Sequence, residues 1–336
     1  MKIIDLFSGI GGFSLGFQKA GYQFTEHYFS EIDKHAIANY KYNFPHAKYI
    51  GDITTLHGGD FTDIDIITFG SPCQDFSLAG RRAGLKGAKS SLIEHAIALI
   101  ADIRPSIFIW ENVKGAFSSN AGADFWAIIQ TLANIGGYRL EFQLLNTSWL
   151  LPQNRERIYL IGHLREKSIP GVFPIGKDDK LLDRKTRKEN RKRTSIKTSP
   201  ARTITSRYHK MGSNDTYIIP KVAATLTGGG HSGGLHSDMT VIRQLKRGKN
   251  KGADLKICPT ISSNAFQENN LLNGVRRLTE IECERLQGFP DNWTQYGNYN
   301  GIIKPIAKTQ RYKLIGNAVT VDIVELIAKR LKITKQ

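Results

Sequence analysis

The 336-residue sequence predicts an α/β protein with a doubly wound, mostly parallel sheet and a second, small and irregular basic domain. Short apolar runs alternate with helix-period segments over residues 1–163, a pattern typical of a parallel sheet covered by helices. After His163 the pattern decays into polar, strongly basic sequence. Regular periodicity returns near Arg276. We therefore predict a first domain at 1–163, a second at 164–275, and a C-terminal segment at 276–336 that returns to the first.

The elements of the first domain follow from its apolar runs. Lys2–Phe7 is predicted as a buried strand, followed by a glycine-rich turn and a helix to about Lys19. The segment at 90–103 carries apolar residues at helical spacing and is predicted as a helix. The other predicted elements are a helix at 33–42 and strands at 24–30, 64–69, 106–110, 138–145 and 157–161.

The later elements are fewer. Three short β-prone pieces at 201–205, 223–227 and 258–262 are unequally spaced, so they indicate a loop-rich β domain rather than a repeat array. Thr279 and Glu282 have the spacing of a capping box and predict a helix to about Gln287. A final amphipathic helix is predicted after Gly316 and Asn317, over residues 319–331.

The charge is concentrated in the middle of the chain. The whole sequence has 47 basic and 30 acidic side chains, a formal net charge of +17. Residues 1–163 have 14 basic and 15 acidic side chains, whereas residues 164–275 have 22 and 9, including the run RKTRKENRKR at 184–193. A basic block of this size favours a nucleic-acid partner over a merely solvated surface.

Composition excludes several classes of protein. No stretch approaches the roughly 20 apolar residues that a membrane span requires, and the N-terminus does not resemble a signal peptide. Cys73, Cys258 and Cys283 are too few and too scattered for a disulfide framework or a structural zinc site. The nine histidines show no metal-ligand spacing, so we predict no metal and a cytoplasmic protein.

The first turn and two acidic residues after it predict a cofactor site. Gly9 and Gly11 lie between a strand and a helix, where a ligand can approach backbone N–H groups. Ser14 occupies the position of the third glycine of the dinucleotide fingerprint, so that fingerprint is absent. Glu31 ends the second strand and Asp52 ends a third segment. In this order they indicate a cofactor that contains adenosine.

Cys73 and Glu111 form a candidate catalytic pair. Cys73 follows the strand at 64–69, on the loop where ligand sites of parallel sheets lie, and Glu111 follows the next strong strand. A lone cysteine is usually inert, but this position and its flanking proline favour a nucleophile, with Glu111 as the acid. Arg155 and Arg157 are spaced to share one face of a strand and to bind a phosphate or a base carbonyl. We predict that Cys283 lies in the core.

Taken together, these segments resemble the DNA cytosine-5 methyltransferase family, which has an S-adenosylmethionine-dependent, Rossmann-like fold. The motifs occur in the order of that family over nearly the whole chain: DLFSGIGGFSLGF, GSPCQDFS, ENVKG, QNRERIYLIG, RRLTEIECERLQGFP and YKLIGNAV. Only the basic segment 164–275 has no counterpart, and in this family that segment carries target recognition. The resemblance implies a bacterial or phage restriction-modification enzyme, associated with the nucleoid, with a restriction endonuclease acting on the same site without forming a complex.

The resemblance also implies roles for individual residues. S-adenosyl-L-methionine is implied to contact ten of them: Phe7, Ile10, Gly11, Glu31, Ile32, Asp52, Ile53, Pro72, Leu92 and Asn317. Ile32 is a departure, because an aromatic residue often covers the adenine there. Cys73 matches the nucleophile, Glu111 the acid at cytosine N3, and Arg157 the contact to the base carbonyl. Arg155 belongs to the same site, and Asn112 orients the loop. Duplex DNA is implied to contact Gln74, Ser77, Arg81, Arg82, Thr203, Thr225 and Thr260.

Three alternatives differ in substrate or activity. An RNA (tRNA) cytosine-5 methyltransferase has the same fold, and the basic segment argues for DNA. A catalytically inactive DNA-binding relative conflicts with the presence of Cys73, Glu111 and Arg157. A zinc-dependent cytidine deaminase requires a second cysteine where this chain has Phe76. We expect a monomer, because one chain holds both the cofactor site and the recognition domain.

Overall fold

A computed structural model describes residues 1–71, 91–176, 242–244, 253–255, 270–272 and 276–333 of the chain. Its main feature is a seven-stranded sheet with the order β3-β2-β1-β4-β5-β7-β6. The strands are β1 (Lys2–Leu6), β2 (Glu26–Ser30), β3 (Lys48–Tyr49), β4 (Ile66–Gly70), β5 (Ile107–Val113), β6 (Tyr138–Asn146) and β7 (Glu156–Leu164). β7 is antiparallel to both of its neighbours, and the other pairings are parallel. The predicted mostly parallel sheet is confirmed.

Helices cover both faces of this sheet. They are α1 (Gly12–Lys19), α2 (Lys34–Asn43), α3 (Ser91–Ile103), α4 (Ala123–Asn134), α5 (Glu280–Leu286), α6 (Lys308–Asn317) and α7 (Val321–Arg330). One core cluster places α3 and α4 against one face, and a second places α1 and α7 against the other. The sheet is therefore buried on both sides, which explains the continuous apolar runs of its central strands.

The strand order reverses between β1 and β4. From β1 the chain continues outward to β2 and β3, and it then returns to β4 on the opposite side of β1. In open α/β sheets, ligands bind beyond the carboxyl ends of the strands at such a reversal. The turn after β1 and the segment after β4 both lie at this edge, which is where the sequence placed its candidate residues.

In the part of the chain that the structure describes, eight further strands lie outside the main sheet. The short strands β9 (Ile242–Gln244), β10 (Ala253–Leu255), β11 (Asn270–Leu272) and β12 (Arg276–Arg277) form an antiparallel sheet in the order β10-β9-β11-β12. The other four pair as β8 (Ser168–Ile169) with β15 (Lys332–Ile333), and β13 (Tyr296–Tyr299) with β14 (Ile302–Pro305). The three β-prone pieces predicted at 201–205, 223–227 and 258–262 lie outside the described residues.

Two sequence predictions need correction. β5 runs to Val113, so Glu111 and Asn112 lie within the strand instead of after it. The single helix predicted over 319–331 is the second of two, because α6 precedes α7 and only residues 318–320 separate them. Polar residues dominate α6, and its buried side is narrow, so the sequence lacks the apolar stripe by which α7 is recognised.

Candidate active site

The turn after β1 has an unusual backbone. Phe7, Gly9 and Gly11 all have positive φ values, of 51°, 53° and 83°. Such a value is uncommon for a residue with a side chain, and Phe7 is therefore a strained position in the turn. A Cβ on Gly11 would lie 2.3 Å from the Phe44 ring, whereas a Cβ on Gly9 would meet nothing within 4 Å. The turn is thus closely packed against Phe44 at Gly11, and it leaves open space beside Gly9.

Helix α1 begins at this turn without a side-chain cap. Its N-cap residue, Gly11, has no side chain to accept hydrogen bonds from the first backbone N–H groups. These groups carry the positive end of the helix dipole and suit a carboxylate or another anion. Trp293 supports the turn from the C-terminal segment, because its indole Nε1 donates to the carbonyl of Ile10 at 2.9 Å.

Glu31 connects the turn after β1 to the turn after β2. One oxygen of its carboxylate accepts from the Gly9 amide (2.9 Å), and the other accepts from the amides of Ile32 (2.8 Å) and Asp33 (3.0 Å). A carboxylate offers about four acceptor positions, so one remains for a ligand hydroxyl. The neighbouring Ile32 side chain is 74% exposed, an apolar surface at the rim that a planar ring would cover.

The other predicted cofactor residues present different groups. Asp52 caps a short 3-10 turn by accepting from the Thr54 amide at 3.0 Å. Ile10 and Ile53 are buried in the core, with 0% and 3% of their surface exposed. Leu92 lies in the first turn of α3, and Asn317 is exposed at the end of α6. Pro72 lies outside the described residues.

Glu111 and Arg157 face each other across neighbouring strands. Both side chains are largely buried, and Arg157 Nε lies 3.1 Å from Glu111 Oε1. Gly70 lies opposite Glu111 at the end of β4, and a Cβ there would lie 3.3 Å from Glu111 Oε2. Gly70 therefore leaves space for the Glu111 carboxylate at the edge of the sheet where the strand order reverses.

Ser71 fixes the start of the segment that carries Cys73. Its Oγ accepts hydrogen bonds from Trp110 Nε1 (3.0 Å) and Asn112 Nδ2 (3.1 Å), both on β5. Asn112 and Trp110 are two residues apart and share one face of the strand, while Glu111 lies on the opposite face. Cys73 itself, with Gln74, Ser77, Arg81 and Arg82, lies outside the described residues. Thr203, Thr225 and Thr260 lie outside them as well.

Arg155 is held by main-chain carbonyls of the C-terminal segment, whereas Arg157 pairs with Glu111. It precedes β7, is 3% exposed, and donates to the carbonyls of Ala318 (2.8 Å) and Gly316 (3.4 Å). These carbonyls flank Asn317 at the junction of α6 and α7. The shared face predicted for Arg155 and Arg157 stays a prediction.

The comparison that identifies the chain covers all of these residues. Residues 1–333 match the family model described as C-5 cytosine-specific DNA methylase. The chain belongs to this family. It is therefore a DNA cytosine-5 methyltransferase, and the family and the fold imply S-adenosyl-L-methionine as its methyl donor.

Known proteins similar to this methylase cover it almost completely. The type II methyltransferase M.Bsp6I of Bacillus sp. (strain RFL6) is 29% identical over 98% of each chain. The type II methyltransferase M.NgoBI of Neisseria gonorrhoeae is 31% identical over 98% of this chain and 92% of the relative. A prophage-encoded DNA modification methyltransferase of E. coli has a TM-score of 0.60 at 24% identity, covering 98% of this chain and 97% of that one. The S. pombe Dnmt2 methyltransferase also has a TM-score of 0.60, at 19% identity, over 97% and 96% of the two chains. These two structures support the fold.

The residues of the methylase fit an adenosine cofactor with a carboxylate. The uncapped N-terminus of α1 suits the carboxylate, and the exposed Ile32 suits the adenine ring. The hydroxyl of Ser8 in the glycine-rich turn is buried and has no hydrogen-bond partner among the described residues. Buried polar groups are normally paired, so this hydroxyl also marks the turn as a place where a polar ligand belongs.

The predictions that the methylase has no metal site and no membrane span can be compared only with the described residues. Within the described residues, no cluster of three His, Cys, Asp or Glu side chains suits a metal ion. No helix described here is long and apolar enough to span a bilayer. Cys283 is buried in the core, as predicted.

Sequence reasoning missed three residues that shape the site: Asp5, Ser71 and Trp293. The signal for Asp5 was present, since an acid in the otherwise apolar KIIDLF strand requires hydrogen-bonding partners. Trp293 and Ser71 have no such signal, because their partners, Ile10 and the pair Trp110 and Asn112, lie far away in the sequence.

Proposed function

We propose that the methylase modifies a specific cytosine in duplex DNA, flipped out of the helix, through a covalent adduct with Cys73. The observation that carries this proposal is the Glu111–Arg157 pair, held 3.1 Å apart beside Gly70, which precedes Cys73 by three residues in the sequence. An acid and a cation at one rim suit the N3 and the carbonyl oxygen of cytosine. Base flipping is required because neither group can reach a base inside a stacked duplex.

The residues act in the following order. The Cys73 thiolate forms a bond to C6 of cytosine, and the electron pair of the C5–C6 double bond becomes available at C5. Glu111 donates a proton to N3, which prevents negative charge from accumulating on the ring, and Arg157 donates hydrogen bonds to the carbonyl oxygen. S-adenosyl-L-methionine, when bound, supplies an electrophilic methyl group on its sulfonium. Loss of the C5 proton to a base then re-forms the C5–C6 double bond, breaks the S–C6 bond and restores the Cys73 thiolate, while N3 returns its proton to Glu111.

Two residues position this chemistry without taking part in it. Asn112 holds Ser71 next to β5 and thereby orients the loop with Cys73. Arg155 fixes the carbonyls on either side of Asn317, so it links the entry of β7 to the cofactor side of the site. The residues that hold S-adenosyl-L-methionine in this proposal are Phe7, Ile10, Gly11, Glu31, Ile32, Asp52, Ile53, Pro72, Leu92 and Asn317.

The basic segment supports DNA as the substrate and target reading as its role. Residues 164–275 have 22 basic and 9 acidic side chains, which suits contact with many phosphates. Base-specific contacts are proposed for its loops, including Thr203, Thr225 and Thr260, and for Gln74, Ser77, Arg81 and Arg82 near the nucleophile. This methylase is proposed to act as a monomer on a short site, with an endonuclease that cleaves the same site as a separate protein.

The test is to map methylated cytosines by sequencing in DNA from cells that express the wild type, Cys73→Ala or Cys258→Ala. We expect one short motif to be fully methylated by the wild type and by Cys258→Ala. Cys73→Ala is expected to leave this motif unmethylated. Methylation of tRNA with unmodified DNA would support the RNA alternative instead. Methylation by Cys73→Ala would overturn the covalent mechanism, and no methylation by any of the three proteins would support an inactive DNA-binding relative.

A further inference from the structure

A cluster of polar side chains lies buried below the glycine-rich turn and takes no part in the proposed chemistry. Asp5, Ser14, Tyr40 and Thr68 are all completely buried, and His27 is nearly so. The five residues come from five elements of the fold, namely the strands β1, β2 and β4 and the helices α1 and α2. This group of residues is called the Asp5 cluster below.

Asp5 is the common acceptor of the Asp5 cluster. Thr68 Oγ1 donates to one carboxylate oxygen at 2.8 Å, and Ser14 Oγ (3.1 Å) and Tyr40 Oη (3.2 Å) donate to the other. Ser14 Oγ also lies 2.7 Å from Tyr40 Oη. His27 Nε2 completes the cluster with hydrogen bonds to Tyr40 (2.7 Å) and Ser14 (3.0 Å).

The Asp5 cluster connects both ends of the strained turn. Asp5 is two residues before Phe7, and Ser14 is three residues after Gly11, so their hydrogen bond closes the turn from below. Tyr40 belongs to α2, the helix that begins directly after Glu31 and Asp33. The Asp5 carboxylate therefore bonds both to α1, which follows the glycine-rich turn, and to α2, which follows Glu31.

Energetic cost argues that this carboxylate has a specific task. An apolar side chain would fill the site in the KIIDLF strand without the cost of removing a polar group from water. A carboxylate with three hydroxyl donors instead fixes directions, because each hydrogen bond is satisfied only at one geometry. The positive φ value of Phe7 shows that the turn holds one residue with a side chain in an uncommon, strained backbone conformation.

We propose that Asp5 is a positioning residue for the cofactor, which acts through Ser14 and Tyr40 to hold the first turn and Glu31 in the geometry that binds S-adenosyl-L-methionine. The inference rests on the proposed function, since it assumes that this cofactor binds at the turn. Asp5 itself does not touch the cofactor. Its effect therefore falls on the shape of the site and applies equally to the methyl donor and to its product, S-adenosyl-L-homocysteine.

The experiment measures binding of both ligands by calorimetry, with steady-state rates on DNA as a second readout. The variants are Asp5→Asn, Tyr40→Phe and the matched control Asp65→Asn. Asp65 bonds to the Lys2 amide at the opposite end of the same strands, at 2.8 Å. We expect Asp5→Asn to weaken both ligands at least tenfold and Tyr40→Phe to weaken both about threefold. Asp65→Asn should stay within twofold, and kcat at saturating cofactor should change little in any variant.

Three results would overturn the proposal. Binding within twofold of the wild type in Asp5→Asn would show that the turn holds its shape alone. Weakening of the sulfonium donor without weakening of the neutral product would show that Asp5 acts by its charge. Equal weakening in Asp65→Asn would show a general loss of stability. If Asp5→Asn does not fold, Tyr40→Phe decides, because it keeps its ring stacked on Phe29. A wild type that binds neither ligand contradicts the cofactor assignment itself.

Discussion

Glu111 and Arg157 show how two neighbouring strands bring a carboxylate and a guanidinium together. Their side chains are brought together because β5 and β7 are antiparallel neighbours, with Val113 opposite Arg157 and Glu111 opposite Tyr159. The Arg157 guanidinium thus lies beside the Glu111 carboxylate. Burial of both groups strengthens their interaction with a polar ligand, since water screens them less. Truncation of either residue is therefore expected to affect the other.

Asp5 and His27 are buried groups with opposite responses to pH. Burial raises the pKa of Asp5 to about 7, against the lowering effect of its hydrogen bonds to Thr68, Ser14 and Tyr40. The charge of Glu31 raises it slightly further. Burial lowers the pKa of His27 to about 4. The folded state thus favours the neutral form of both groups.

The direction of each effect on stability follows from linkage. The folded state holds the Asp5 proton more tightly than the unfolded state, so this contribution is present below pH 4 and is lost as the pH rises through about 7. The contribution of His27 is present above its unfolded pKa of about 6.5 and is lost as the pH falls through about 4. The two effects oppose each other between pH 4 and 7.

We predict that single variants separate these two contributions. In urea unfolding at stepped pH, the stability of Asp5→Asn relative to the wild type should rise from pH 4.5 to 7.5, with a ceiling on the order of 4 kcal/mol. His27→Gln should show the reverse, gaining relative stability as the pH falls below 6.5. A pH-independent difference for both variants would contradict the buried, neutral state of the Asp5 cluster.

At the scale of elements, α1 depends on close contact with α7. A Cβ on Gly16 would lie 2.5 Å from Val324 Cγ1 and 3.1 Å from the Glu325 amide. The backbone of α1 therefore approaches α7 at a distance that only glycine permits. Because α1 starts at the glycine-rich turn, this contact also sets the height of the turn above the sheet.

We predict that Gly16→Ala lowers the free energy of unfolding by about 1–3 kcal/mol, as overpacking does. Helix propensity alone predicts the opposite sign, because alanine is favoured over glycine in a helix by about 1 kcal/mol. The matched control is Gly59→Ala, where a Cβ would meet nothing within 4 Å. Denaturant unfolding of both variants measures the difference, and stabilisation by Gly16→Ala would contradict the packing described here.

The elements differ in how far sequence predicts them. β1, β4 and β5 are continuous apolar runs buried on both faces, and α7 has a clear apolar stripe, so local pattern suffices for all four. The helix α6 has no comparable pattern. It is held by long-range contacts such as the buried Arg311–Glu284 ion pair, at 3.0 Å, which joins it to α5. Such contacts depend on tertiary structure and leave no periodicity in the sequence.

The residues of the candidate site also differ in how far the sequence predicts their positions. Residues on the turns after strands, such as Gly9, Gly11 and Glu31, could be placed because parallel strands end at one edge. The partners of Arg155 could not be predicted, since they are main-chain carbonyls of a segment that returns to the site from residue 316. The Asp5 cluster could not be predicted either, because its residues come together only when several elements pack against each other.

At the scale of the molecule, charge is divided between two functions. The proposed catalytic residues, and all proposed cofactor residues except Asn317, lie in a nearly neutral part, since residues 1–163 have 14 basic and 15 acidic side chains. Most of the excess positive charge belongs to residues 164–275, which have 22 basic and 9 acidic side chains. We therefore propose that the basic segment provides affinity for the phosphate backbone and that the sheet carries the chemistry.

We predict that neutralising part of the run at 184–193 lowers DNA affinity and its dependence on salt. Changing Arg187, Lys188, Arg191 and Lys192 to Gln should reduce the slope of log K against log salt concentration by about 0.9 for each lost phosphate contact. Fluorescence anisotropy at several salt concentrations measures this slope. The control removes charge elsewhere, at Lys329 and Lys332. An unchanged slope in the first variant would show that this run does not meet the DNA backbone.

The central claim is that Cys73 forms a covalent bond to cytosine in DNA, and a trapped adduct tests it most directly. A duplex with 5-fluorocytosine at the mapped target blocks release of the enzyme, because fluorine cannot leave C5 as the proton does. With S-adenosyl-L-methionine present, we predict a complex that survives denaturing electrophoresis for the wild type and for Cys258→Ala, and none for Cys73→Ala. An adduct that persists in Cys73→Ala, or a wild type that methylates this site and yet forms no adduct, would contradict the account.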